Sequence, residues 1–126
     1  MAQENMASEM QDQGVDAYRA GEYEEALEAF EQARNLSAEA GDQEGEIEAL
    51  GSMGVVCGEL ERWDDAHRFL DQALDICEET EDPVNQGKVL GNLGMIYARQ
   101  GDEEKAAEAY ERMMTGNARF RVVLTM

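Results

Sequence analysis

Proline is nearly absent from this sequence: Pro83 stands alone in 126 residues. Val, Ile and Thr are sparse, whereas Ala, Glu, Leu and Met abound, which is the chemistry of helix formers. Basic residues are scarce too, with 10 Lys+Arg against 29 Asp+Glu and a net charge of −19. That balance argues against nucleic acid, whose phosphates need clustered Lys and Arg, and against anionic membrane surfaces. Lys88 and Lys105 are the lysines. An acidic, lysine-poor surface suits high salt, and it equally suits an ordinary solubilising exterior.

No apolar run approaches the roughly 18 residues that would span a bilayer. The opening Met1-Ala2-Gln3-Glu4-Asn5 lacks the basic and apolar regions of a secretory signal, so a cytoplasmic protein is expected. His67 is the single histidine, and no second His or Cys stands at metal spacing around it. There is no Gly-rich phosphate loop between a strand and a helix, and no EF-hand spacing. These gaps predict a protein that is not an enzyme and carries no metal and no cofactor. Cys57 and Cys77 are read as buried, reduced thiols, since antiparallel helices would separate them by roughly 15 Å along the axis.

What the sequence does contain is a period. Leu50-Gly51-Ser52-Met53-Gly54 recurs 40 residues later as Leu90-Gly91-Asn92-Leu93-Gly94. The same offset links Gly14 to Gly54 and Gly94, Phe30 to Leu70 and Tyr110, and Ala26 to Ala66 and Ala106. A register held at this many positions through two translations sets the architecture. Within the second unit, Leu50, Met53, Gly54 and Cys57 follow one helical face, and Ala66, Phe69, Leu70, Ala73, Leu74 and Cys77 form a second. The short connection Glu61-Arg62-Trp63 makes those helices antiparallel. Asp82-Pro83 reads as a cap and first helical residue, and Asp102 as another cap.

The fold predicted is all-α: a superhelical solenoid of three antiparallel helix pairs. The helices fall at about 5–20, 23–40, 43–60, 63–80, 83–100 and 103–115. The three repeats occupy about 5–42, 43–82 and 83–115 within residues 1–115, followed by a non-repeat tail over 116–126.

Gly14, Tyr18, Gly21, Tyr23, Ala26, Phe30 and Ala33 resemble the tetratricopeptide repeat signature. Gly54, Trp63, Ala66, Leu70 and Ala73 repeat it, as do Gly94, Tyr97, Gly101, Ala106 and Tyr110. The 40-residue period is similar to the longer-helix variety found in Pins-type scaffolds and kinesin light chains. The resemblance implies a right-handed superhelix in which the first helix of each pair, helix A, lines a concave groove for partner peptides or helices. Its Lys and Asn carboxylate clamp, used by chaperone-binding members, is not matched, because Gln11, Val15, Gly51, Val55, Gly91 and Met95 stand there.

By register, candidate groove residues fall in rows. Val15, Val55 and Met95 form an apolar row that either packs helices or contacts a ligand. Asp12, Ser52 and Asn92 form a polar row, in which only Asn92 matches the peptide-binding Asn of the longer-repeat relatives. Arg19, Glu59 and Arg99 lie near the A-helix ends, and Ser8, Glu48 and Lys88 near their starts. Gly51 and Gly91 at matching helix-interior positions predict a close approach, of either a neighbouring A helix or a ligand backbone. These rows are nearly neutral, so the negative charge is expected mainly on the outer face of the second helices, at residues such as Glu24, Glu28, Asp64 and Asp71.

Register calls for an apolar residue at 116, and the chain has Gly116, where the last helix is expected to stop. The sequence beyond it carries Arg119, Arg121 and a β-favouring apolar run. It could cap the last repeat, stay unordered, or enter a groove of its own or a neighbouring chain. The function expected is a protein-interaction adaptor that binds a peptide or protein partner in the A-helix groove. The alternatives are a scaffold self-assembling through the last repeat or tail into a homo-oligomer, and an acidic holder of a basic or apolar client.

Overall fold

The computed structural model describes the backbone of residues 2–125 and the side chains of residues 6–116. Six helices follow one another: α1 (Ala2–Arg19), α2 (Tyr23–Glu39), α3 (Gln43–Glu59), α4 (Trp63–Glu79), α5 (Pro83–Arg99) and α6 (Glu103–Thr125). Helices α1, α3 and α5 are the A helices of the three pairs. The internal boundaries match the sequence reading to within a residue or two, and no strand interrupts the order among the described residues.

One turn geometry is used five times. The residues at 21, 41, 61, 81 and 101 all have positive φ, between 51° and 87°. The next residue donates its N–H back to the carbonyl five positions earlier, as Asp42 does to Ser37 at 2.8 Å and Arg62 does to Cys57 at 2.8 Å. This is the Schellman arrangement, which satisfies the last carbonyls of one helix and reverses the chain. Gly occupies the left-handed position in three turns, and Glu61 and Glu81 hold it in the others. Asp42, Asp82 and Asp102 then cap the following helices by accepting from the backbone N–H of Gly45, Asn85 and Lys105.

The core is built where a glycine in the A helix meets a large side chain of the second helix. A Cβ at Gly54 would lie 2.6 Å from Cγ of Leu70, and one at Gly94 would lie 2.6 Å from the Tyr110 ring. Gly14 lies against Phe30 in the same way. The missing side chain lets paired helices approach while the bulky residue fills the gap, leaving Leu70 fully buried and Phe30 2% exposed. Leu50, Met53, Val56, Leu90 and Ile96 complete the layer between repeats.

Two expectations are corrected. α6 does not stop at Gly116 but continues to Thr125. A helix stops where a residue turns left-handed, and Gly116 is not among the residues of positive φ. Inside a helix, glycine costs only about 1 kcal/mol against alanine. The readings of 117–126 as a cap or a groove ligand concern side chains outside the described residues. The second correction concerns Gly51 and Gly91. A Cβ at Gly51 would meet only the Asn92 amide nitrogen at 3.8 Å, and one at Gly91 only the Met113 sulfur at 3.7 Å. Both are ordinary contact distances, so no close approach of a neighbouring A helix accounts for these glycines.

Candidate functional site

The three A helices stand side by side, and a cavity of about 440 Å³ opens between them. Its apolar surface comes from Val15 of α1, Ile47, Val55 and Val56 of α3, and Val89 of α5, with Phe30 reaching in from α2. Its polar rim divides by helix: Glu44, Glu48 and Ser52 on α3, and Asn85, Lys88 and Asn92 on α5. The division has a sequence origin, because α5 contains Lys88 and Arg99 and no acidic residue, whereas α3 contains Glu44, Glu46, Glu48 and Glu59. The α5 side of the cavity thus carries one cation, Lys88, and the α3 side two carboxylates, Glu44 and Glu48, within a chain that is strongly acidic overall.

Seven of the residues expected at the groove are brought together here: Val15, Glu48, Gly51, Ser52, Val55, Lys88 and Asn92. Asp12 lies instead in a smaller, more polar recess of about 280 Å³ beside Ser8, Gln11 and Asp42. Met95 is half-buried and packs against the core, so the row Val15, Val55, Met95 divides between cavity and packing. Arg19 is exposed and lines neither space.

Glu59 and Arg99 are paired with each other. Arg99 donates to Glu59 at 2.7 Å across α3 and α5, and the Tyr18 hydroxyl of α1 donates to the same carboxylate at 3.4 Å. The three A helices are thus tied at one end by a single polar chain. The Arg99 hydrogen bond, assisted by the guanidinium charge and the Tyr18 hydroxyl, holds the Glu59 carboxyl below its ordinary value. Burial, and then the Glu59 charge, pushes the Tyr18 hydroxyl up. Nearer the helix starts, the Gln11 amide donates to Ser52 at 3.0 Å. These links join residues 40 or 41 apart, so they follow the repeat from one A helix to the next.

Sequence reasoning missed Asn85, Glu44 and Tyr18 as groove residues. The signal for Asn85 was present, since positions 85, 88 and 92 fall on one helical face with Lys88 and Asn92. Tyr18 was read only as part of the repeat signature, and its hydroxyl partner lies 41 residues away.

Cys57 and Cys77 are buried and free, and burial raises both thiols to about 11. His67 packs against Tyr97 with the rings tilted by 34° and their centroids 4.5 Å apart. Among the described residues, no group of three His, Cys, Asp or Glu is placed to hold a metal ion. No helix among them is long and apolar enough to cross a membrane.

Helix pairs stacked at a fixed period, a small residue of each A helix under a large one of its partner, and a groove between A helices define one repeat type. Sequence profiles of the tetratricopeptide repeat match residues 6–79 and again residues 87–114. The chain belongs to the tetratricopeptide repeat family. Its fold is similar to that of the tetratricopeptide domain of Arabidopsis FLU, with a TM-score of 0.81, 22% identity, and coverage of 95% of this chain and 98% of that domain. In sequence it is similar to the regulatory protein RapG of Bacillus subtilis, 28% identical over 98 residues, which are 77% of this chain and 27% of RapG. It is also similar to the photosystem I assembly protein Ycf3 of Synechococcus, 31% identical over 103 residues, or 77% of this chain and 54% of that protein. The mitochondrial tetratricopeptide repeat protein 19 homolog of Drosophila melanogaster is 26% identical over 91 residues, or 71% of this chain and 25% of that protein. This tetratricopeptide chain therefore spans between a quarter and just over half the length of these relatives. Tetratricopeptide repeats imply a protein-interaction scaffold, and proteins built from them are generally not enzymes.

Proposed function

We propose that this chain is an adaptor that receives a peptide or helix of a partner protein in the groove between α1, α3 and α5. The cavity beside Val55 carries this reading: an apolar floor with two carboxylates, Glu44 and Glu48, on one side and the Lys88 ammonium on the other. Such a site seats one or two bulky apolar side chains, and its flanking charges set the direction of the bound segment. Asn85 and Asn92 can donate and accept along the same edge, which suits hydrogen bonding to a partner main chain. Gly51 leaves the cavity surface open where a side chain would project towards the ligand.

Selection from a displayed random-peptide library tests the proposal. The chain should enrich peptides with an apolar centre, and Val55→Glu or Asn92→Ala should weaken the selected peptide tenfold or more. Glu31→Ala, on exposed α2 surface, should leave binding unchanged. Groove variants that bind as the parent does, with loss at Glu31 instead, would place recognition on the outer face.

A further inference from the structure

Polar rungs join the A helices at positions one repeat apart, and one rung is open. Glu59 and Arg99, 40 residues apart, bond at 2.7 Å. Gln11 and Ser52, 41 residues apart, bond at 3.0 Å. Glu48 and Lys88 stand at the same 40-residue offset with opposite charges. Both are exposed, and among the described residues neither takes part in a salt bridge. This open rung borders the cavity of about 440 Å³, Glu48 from α3 and Lys88 from α5.

The charges around it are ordered across the helices. Asp12 of α1 lines the recess beside the cavity, and Glu44 and Glu48 of α3 line both spaces. On α5 the rim changes sign, with Lys88 between Asn85 and Asn92. A chain of net charge −19 attracts cations over its whole surface, so charge alone gives a basic partner no preferred place. Lys88 breaks that uniformity at the mouth of an apolar cavity.

We propose that the partner segment received here carries both charges around one apolar anchor. A bulky apolar side chain fills the cavity, a Lys or Arg of the segment meets Glu44 and Glu48, and an Asp or Glu meets Lys88. This deepens the groove reading and rests on it. In an extended segment, the side chains two before and two after the anchor face the same way as it does and stand about 13 Å apart. Packed helix axes lie about 8–10 Å apart, and long charged side chains cover the difference. The segment thus completes the open rung from both sides, its cation on Glu48 and its carboxylate on Lys88. The order of its two charges then fixes which end lies over α3.

Fluorescence anisotropy of the full chain with three labelled peptides tests this. The peptides share a central Leu and differ two residues to either side of it: Lys and Glu, two Lys, or two Glu. The parent should bind the mixed peptide about fivefold tighter than either other, even though its net charge favours two Lys. Lys88→Glu should move the preference to the two-Lys peptide, and Glu44→Lys with Glu48→Lys should move it to the two-Glu peptide. All three positions are exposed, so the variants should melt as the parent does. No binding of the mixed peptide, tighter binding of the two-Lys peptide by the parent, or a preference indifferent to both variants would overturn the proposal. Val55→Gln, which adds no charge, separates the two readings. If the charge preference fails while Val55→Gln still weakens every peptide, the groove reading stands alone; if Val55→Gln changes nothing, the groove reading falls as well.

Discussion

Leu70 rests on the bare backbone of Gly54, so close that an alanine there would put its Cβ 2.6 Å from the Leu70 branch carbon. The branch carbon cannot swing aside as a side-chain tip would. Alanine's helix propensity offers a gain of about 1 kcal/mol, whereas overpacking a filled core costs about 1–3 kcal/mol. The clash should win, with Gly54→Ala lowering stability by roughly 1–2 kcal/mol in urea unfolding. Trimming Leu70 to Ala in that background should cost less than in the parent, a coupling that a double-mutant cycle reads directly.

Gly51, three residues earlier, should respond in the opposite sense. Only the Asn92 amide lies near its absent side chain, at 3.8 Å. Gly51→Ala should raise stability by roughly 0.5–1 kcal/mol. Because Gly51 lines the cavity, the same variant should weaken a groove-bound peptide. A gain in melting temperature together with a loss in affinity would identify the glycine as one kept for ligand access.

Glu61 and Glu81 hold left-handed backbone, with φ of 57° and 51°, in turns that elsewhere use Gly. A side chain there costs about 1–2 kcal/mol against glycine in the folded state, part of which glycine's freer unfolded chain offsets. Glu61→Gly and Glu81→Gly should each stabilise by roughly 0.5–1 kcal/mol. Gly21→Ala should destabilise by a similar amount, and chemical denaturation of the three variants would check the set.

The Tyr18–Glu59–Arg99 chain predicts a pH dependence of known sign. The folded Glu59 pKa is lowered from 4.5. Its contribution is thus present above the unfolded value and is lost as pH falls through the folded one. Arg99 is 41% exposed, so solvent screens the pair and its worth is about 0.5 kcal/mol. Glu59→Gln should therefore melt slightly below the parent at neutral pH. The two should converge in acid well below pH 4.5 and in high salt, as melting curves would show.

Cys57 and Cys77 should be slow to react. Both are fully buried and their thiols are raised to about 11, so little thiolate forms near pH 8. A thiol reagent should label them only as the protein opens, at a rate that increases with denaturant.

The fold was legible because its determinants are local and repeated. The offset of Gly14, Gly54 and Gly94 from Phe30, Leu70 and Tyr110 is written in the sequence, and the structure shows what it means: each glycine seats one of those side chains. Stops were harder to read, because glycine is neither necessary nor sufficient. Glu61 and Glu81 end helices without it, and Gly116 fails to end one. At the groove, register identified Val15, Ser52, Val55, Lys88 and Asn92. It could not show that Glu59 and Arg99 would bond to each other, since equivalent positions become neighbours only when repeats stack.

The most direct measurement is amide NMR of the labelled chain titrated with a selected peptide. Binding between the A helices predicts the largest shift changes at Ser52, Val55, Lys88 and Asn92, with little at Glu31 and Asp71 on α2 and α4. Changes centred on those outer residues, with the groove resonances still, would contradict it.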